Sequence, residues 1–354
     1  MAHVTILYGG RSGEHEVSRV SAAAVLANLD TKHEVSLIGI DREGAWYLQD
    51  VPVDIPRSLD VSAEPGRRVA VLPGDGLMLA GGSPLPTDVV LPILHGSFGE
   101  DGTVQGLLET ARTPYAGSGV LGSAVGMDKD MAKRLWKQEG LPVVPWHCFR
   151  EGDDPIRDAA AIFDELGSPV FVKPANAGSS VGVNRVDTAE GLEDALRTAW
   201  RHDRKVLVEK TVFGREIECS VMGDKDPVAY PPGEVIPAGG HAFYDYDAKY
   251  VDPDGALLKV PADLEDDLSE RIRGIAVRAY ASVSASGLAR VDFLVKDGGE
   301  VFLNEINTMP GMTSISLFPR MAAAGGVAFT EMLERLIVDA LDRAARRERL
   351  SYEK

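Results

Sequence analysis

A chain of 354 residues, 44% hydrophobic and 26% charged, has the length for two or three domains, each with its own core, and does not have the composition of a disordered or fibrous protein. Its net charge of -17, with no Lys/Arg block before the short tail RAARRERL, argues against a partner that is nucleic acid or an anionic membrane. The N-terminus MAHVTILYGG lacks a basic lead with a cleavage site, no segment approaches about 18 consecutive apolar residues, and Cys148 and Cys219 stand far apart without metal spacing, so a cytoplasmic protein with reduced structural thiols is expected.

HVTILY, residues 3 to 8, reads as a short strand running into the Gly9-Gly10 turn, with EVSRVSAAAVLANL as the following helix and EVSLIGI as a second strand. This is an α/β opening. Within it, GGRSGEHEVS carries Glu14 into the helix, where a capping acid and a functional acid are both open readings. From Val51 to Pro86 periodicity fades and Pro and Gly accumulate, which predicts an irregular or hairpin-containing insert. TDVVLPILHG then restores a buried strand and sets His95 just past its end, where α/β folds gather ligand contacts; a structural hydrogen-bonding role is the alternative. The helix GTVQGLLETA follows, and a first domain is expected over residues 1 to 120.

GSGVLG, residues 117 to 122, satisfies the dinucleotide pattern GxGxxG, but PYA before it is a poor strand and the positions about 20 residues on lie in a helix. A domain-junction loop is expected instead. A second domain, residues 121 to 212, holds the helix MDKDMAKRLWKQEG, the strand SPVFVKPA with Lys173, a Gly/Ser loop and the strand KVLVEKTV. The small residues of FVKPANAGSSVGV let backbone N–H groups approach a polyphosphate closely, although GxxxxGK[ST] is absent and a plain hairpin loop fits equally.

A third domain, residues 213 to 354, contains a loop from 237 to 256, a long helix from Leu264, a hairpin and a C-terminal helix from Phe329. The loop includes FYDYDAKY, whose exposed aromatics suit a lid. In the hairpin, LARVDFLV joins VFLNEIN through DGGE, and Gly298-Gly299 suits a two-residue type I′ turn, in which both central residues take positive φ. That turn sets Asp292 opposite Glu305 and Arg290 opposite Asn307, all on one face. Opposed carboxylates repel unless something positive lies between them. Two carboxylates and an amide oxygen suit Mg²⁺, while a salt-bridge ladder with Arg290 neutralising both acids is the alternative.

In this order the segments together resemble the D-alanine-D-alanine ligase branch of the ATP-grasp superfamily, over nearly the whole chain. The resemblance implies a three-domain α/β ATP-grasp fold with an N-terminal doubly wound domain, ATP between the second and third domains, and a homodimer acting on D-alanine and ATP in peptidoglycan precursor synthesis. It matches Asp292, Glu305 and Asn307 to Mg²⁺ ligands, with Mn²⁺ as a substitute ion, and Lys129 and Lys173 to ATP phosphates. GSSVG, including Ser180, matches the loop over them, Glu209, Lys210 and Val212 the adenine segment, and Glu216 the ribose contact. Glu14 and His95 match positions beside the first D-alanine, Ser316 and neighbouring Leu317 the second substrate, and Arg290 with the Gly311 N–H the pair on the reacting carboxyl oxygens. Glu14, Ser179 and Tyr250 match a trio that closes the lid, with Lys249 reaching toward phosphate. Tyr250 favours a dipeptide product over a depsipeptide; His241 in the same loop leaves D-lactate or D-serine as acceptors open. A chain that kept the fold and lost turnover is the reading from another class, and only GSGVLG speaks for an oxidoreductase.

Overall fold

β1 (His3–Gly9) is the axis of the first sheet, paired in parallel with β2 (Glu34–Ile40) on one side and β6 (Val89–Ile93) on the other. The protein is described from a computed structural model over residues 1–153, 159–179, 181–237, 256–313 and 315–351. α1 (His15–Asn28) connects β1 to β2, and β3 (Trp46–Gln49), β4 (Arg68–Leu72) and β5 (Gly76–Leu79) extend the sheet antiparallel, in the order β5-β4-β3-β2-β1-β6. The region from 51 to 86 thus contains the expected hairpin, β4-β5, laid on the sheet edge. The strand order switches sides at β1, with β2 on one flank and β6 on the other, and the crevice beyond the carboxyl ends of β1 and β6 takes the segments Gly9 to Glu14 and Leu94 to Glu100.

α2 (Thr103–Thr110), α3 (Val120–Met127) and α4 (Lys129–Gln138) lead to a second, antiparallel sheet ordered β7 (Trp146–Arg150), β10 (Lys205–Lys210), β8 (Val170–Pro174), β9 (Asn184–Val186). Alternation decides what each face carries. Val170, Val172, Val206 and Val208 bury against Ile162 and Leu166 of α5 (Ala159–Leu166) and Leu192 and Leu196 of α6 (Leu192–Ala199). The odd positions, Phe171 and Lys173 opposite Glu209 and Leu207, therefore share the other face.

The third sheet runs β14 (Ala256–Lys259), β13 (Gly233–Pro237), β11 (Arg215–Met222), β15 (Leu288–Val295), β16 (Val301–Asn307), with β12 (Val228–Ala229) on β11. Ile217, Cys219, Val221, Val291 and Phe293 pack against α7 (Asp266–Ser282) and against Ala132 and Trp136 of α4. α8 (Leu317–Ala324) and α9 (Phe329–Glu348) cover the opposite side. α9 also buries Met332, Leu333, Leu336 and Ile337 in one core with Val4 and Ile6 of β1 and Leu91 of β6, tying the first sheet to the third. No helix among the described residues is long and apolar enough to cross a membrane.

The β15-β16 turn differs from the two-residue type I′ expectation. Gly299 N donates to Lys296 O (2.8 Å), Lys296 N donates to Glu300 O (3.0 Å), and only Gly299, at φ +77°, takes a positive φ, while Gly298 does not. This is a three-residue loop, Asp297 to Gly299, ending in a left-handed residue. Val295 faces Val301 and Phe293 faces Leu303, one residue out of the expected register, until a bulge at Asn304 restores Asp292 opposite Glu305 and Arg290 opposite Asn307. The expected pairs form because the extra bulge residue compensates the extra loop residue.

Candidate active site at the shared wall of two cavities

A cavity of about 530 Å³ opens between the crevice of the first sheet and residues 305 to 317 of the third unit. Glu14 holds the N-cap position of α1, yet its side chain makes no capping bond. Its carboxylate is wedged between two loops: a Cβ built on Gly96 or Gly178 would lie 2.6 or 2.7 Å from Glu14 Oε2. Ser179 Oγ donates to Glu14 Oε1, so the structure brings these two expected partners together from segments 165 positions apart. The third expected member, Tyr250, lies outside the described residues, as do Lys249 and Ser180.

His95 is buried on the same wall, and both of its ring nitrogens face protein atoms, Nδ1 the Met309 carbonyl oxygen (2.8 Å) and Nε2 Ser21 Oγ (3.1 Å). Burial lowers its pKa, which keeps the imidazole neutral. Ser316 Oγ accepts from Thr313 N (3.1 Å) and lies 2.9 Å from where a Cβ on Gly311 would stand, so a larger residue at 311 would have to displace that hydroxyl. Leu317, buried, lines the same cavity as the expected Ser316 and Gly311.

A second cavity, about 290 Å³, lies between the second and third sheets, and Lys173, Glu209, Lys210, Val212 and Glu216 all line it as expected. Glu209 is buried and bridges Lys173 (2.7 Å) and Lys133 (3.0 Å). Burial works against its charge, but the two lysines hold Glu209 below the usual carboxylate range. Lys133 is buried completely and pushed down to about 8, because full desolvation outweighs the carboxylate it shares with Lys173.

The two cavities share one wall: Lys129, the 177 to 179 loop, Glu218, Arg290 and Glu305 line both. Arg290 Nε and Nη2 donate to the two oxygens of Asp292 (both 2.7 Å), Nε also lies 3.0 Å from Glu218 Oε2, and Asn307 Nδ2 donates to Asp292 Oδ2 (3.0 Å). Lys129 Nζ lies 3.3 Å from Glu305 Oε2 and donates to Ala177 O (2.8 Å). Opposed Asp292 and Glu305 are thus each compensated by a cation, which is the ladder in part, although Arg290 turns to Asp292 and Glu218. The donor set also fits a hard divalent ion: Asp292 and Glu305 supply carboxylate oxygens, and a half-turn of the Asn307 amide presents its oxygen to the same point.

Four residues in or directly behind these walls escaped the sequence reading. Glu218 sits on β11 directly opposite Asp292, and the alternation of REIECSVM puts Glu216, Glu218 and Ser220 on one polar face, a signal that was available. Asn304, the bulge residue, reaches Lys173 Nζ through Oδ1 (3.3 Å). Lys133 follows Lys129 by one helical turn. Glu100, in GEDG, read as a turn residue and is buried, accepting from two backbone N–H groups.

Two family profiles match the chain, "D-ala D-ala ligase N-terminus" over residues 3–118 and "D-ala D-ala ligase C-terminus" over residues 135–338. A D-alanine-D-alanine ligase of Treponema denticola is 44% identical over 96% of either chain. D-alanine-D-alanine ligase A of Chromobacterium violaceum is 45% identical over 98% of this chain and 97% of its own. Among solved structures, the D-alanine-D-alanine ligase of Coxiella burnetii superposes with TM-score 0.86 at 34% identity, covering 98% of this chain and 97% of its own. The VanG D-Ala:D-Ser ligase of Enterococcus faecalis gives 0.83 at 33%, covering 95% and 98%.

Proposed function

The chain belongs to the D-alanine-D-alanine ligase family and is an ATP-dependent ligase of two D-alanine molecules; we propose that it works through a D-alanyl phosphate formed at the wall its two cavities share. The observation that carries this is the wall itself. A nucleotide in the cavity of Lys173 and Glu209 and an amino acid in the cavity of Glu14 meet across the wall that holds Lys129, Arg290 and Glu305. One substrate's carboxylate is then within reach of the other's terminal phosphate, with cations already in place.

In the first step a carboxylate oxygen of the first D-alanine attacks the γ-phosphorus, the β–γ bridging bond breaks and ADP leaves. Lys129 and Lys173 neutralise phosphate charge, and Glu14 holds the amino acid's ammonium away from the reacting end. Mg²⁺, held by Asp292, Glu305 and Asn307, would add charge neutralisation on the phosphates. In the second step the neutral amine of the second D-alanine attacks the acyl carbon, and Arg290 and the Gly311 N–H donate to the developing oxyanion. Phosphate leaves, and the amine proton is lost to solvent or phosphate. Ser316 and Leu317 line the side from which this second molecule enters.

The same reading divides the chain at about residues 120 and 212, which the three sheets support, and assigns it to peptidoglycan precursor synthesis, which the family's chemistry supports; it also takes the chain to be a cytoplasmic homodimer. The test is phosphate release from ATP with and without Mg²⁺, offering D-alanine, L-alanine, and D-alanine with D-serine or D-lactate, with products identified by mass. Release with D-alanine alone and a D-alanyl-D-alanine product is expected. A D-alanyl-D-serine product in preference would move the chain toward the chemistry named for the Enterococcus structure, and no release with any acceptor would overturn the reading.

A further inference from the structure

We infer that Glu100, His95 and Ser21 form a clamp that positions the Met309 to Met312 arm, and with it the Gly311 N–H, for attack by the second amino acid. The inference rests on the ligase reading above. Met309 is gripped on both sides of its backbone: its N–H donates to Glu100 Oε1 (2.9 Å) and its carbonyl faces His95 Nδ1 (2.8 Å). Glu100 Oε2 accepts from Gly96 N (2.7 Å), so one carboxylate bonds both the crevice of the first sheet and the arm that continues the third. Ser21, on α1, reaches His95 Nε2 (3.1 Å) and accepts from Met312 N (3.4 Å).

The protons on His95 and Ser21 have one arrangement. A carbonyl only accepts, so His95 Nδ1 carries the hydrogen; Nε2 then accepts from the Ser21 hydroxyl, whose oxygen is left to accept from Met312 N. Both nitrogens of His95 are spent within the protein, which makes it a positioning residue rather than a substrate contact. All three side chains are buried, at 8% exposure or less. Gly311 lies between the two gripped residues, next to Pro310 with its fixed φ, so its N–H has little freedom once Met309 and Met312 are held. Burial pushes the Glu100 carboxyl up to about 8 although two backbone N–H groups favour its charged form, and so polar a group is costly to keep between two loops unless their relative placement matters.

The experiment uses the full chain and compares wild type with Ser21→Ala, Glu100→Gln and Glu100→Ala. It measures kcat, KM for ATP, thermal midpoint and the ratio of phosphate released to dipeptide formed. A misplaced oxyanion donor slows the second step more than the first and lets water take the acyl phosphate. The expected result is kcat lowered about tenfold in Glu100→Ala, less in Ser21→Ala, with KM for ATP unchanged and the phosphate-to-dipeptide ratio raised. Glu100→Gln should fall between wild type and Glu100→Ala, since an amide can accept from only one of the two N–H groups. If Glu100→Ala fails to fold, the other two variants decide. A ratio unchanged from wild type in both, or losses that follow the thermal midpoint alone, overturns the clamp. A wild type that makes no dipeptide overturns the ligase reading instead.

Discussion

Arg290 carries more at the shared wall than its sequence neighbours suggested. Paired through a fork with Asp292 and at 3.0 Å with Glu218, it is a cation whose direction is fixed by two carboxylates from two strands. Lysine cannot reproduce that fork. Arg290→Lys is therefore expected to lower dipeptide formation about a hundredfold at saturating ATP, and a variant that kept the wild-type rate would remove Arg290 from the oxyanion role. Lys133 makes a prediction of the opposite kind, about stability. Its pKa is near 8 in the folded chain against 10.5 when solvated, so between those values the unfolded state binds more protons. The penalty of burying its charge is fully present below about 8 and is relieved as pH rises toward 10.5, at up to about 1.4 kcal/mol per pH unit. Urea unfolding at several pH values should show wild type gaining on Lys133→Met across that window, and a flat difference would mean Lys133 titrates normally. Lys129, Lys173, Asp292 and Glu305 were legible as residue types, and Glu218 was available in the alternation of its strand. Glu100 was not, because a buried carboxylate in a turn has the same local sequence as an exposed one.

At the scale of elements, the β15-β16 hairpin shows how a correct pairing can follow from an incorrect turn. Gly298-Gly299 fits a type I′ turn by composition, but Gly299 alone takes a positive φ. The consequence can be measured. Neither glycine has an atom within 4 Å of a built Cβ, so substitution tests backbone conformation alone. Gly299→Ala should destabilise by about 1 kcal/mol, and Gly298→Ala by less than about 0.5 kcal/mol; equal losses in thermal unfolding would restore the two-residue turn. The bulge left a trace in the sequence. Leu303 and Ile306 are both buried in the same core yet are three apart, which a strand of period two does not allow without an extra residue between them. That extra residue puts Asn304 beside Lys173, and Glu305 opposite Asp292.

At the scale of the molecule, the site exists because three sheets are brought to one place, and α9 is a large part of how. Its apolar stripe packs with β1 and β6 on one side and with α8 and the third sheet on the other. Leu333, fully buried there, should cost about 2 to 5 kcal/mol on truncation to alanine. Calorimetry is expected to show one transition at a lower midpoint, and two separated transitions would mean the first and third units are not held by this helix. By itself the sequence determined the strongly periodic elements β1, α1, β2, β6, β15, β16 and α9, since burial of alternating or 3.6-period apolar positions is a local requirement, but not α3, which begins inside the expected junction loop. Only the tertiary structure decided that Glu14 meets Ser179, that Lys133 shares Glu209 with Lys173, and that Glu100 holds Met309. These contacts join segments far apart in the chain, and their geometry is fixed by how sheets stack and loops close, which no local pattern of residues encodes.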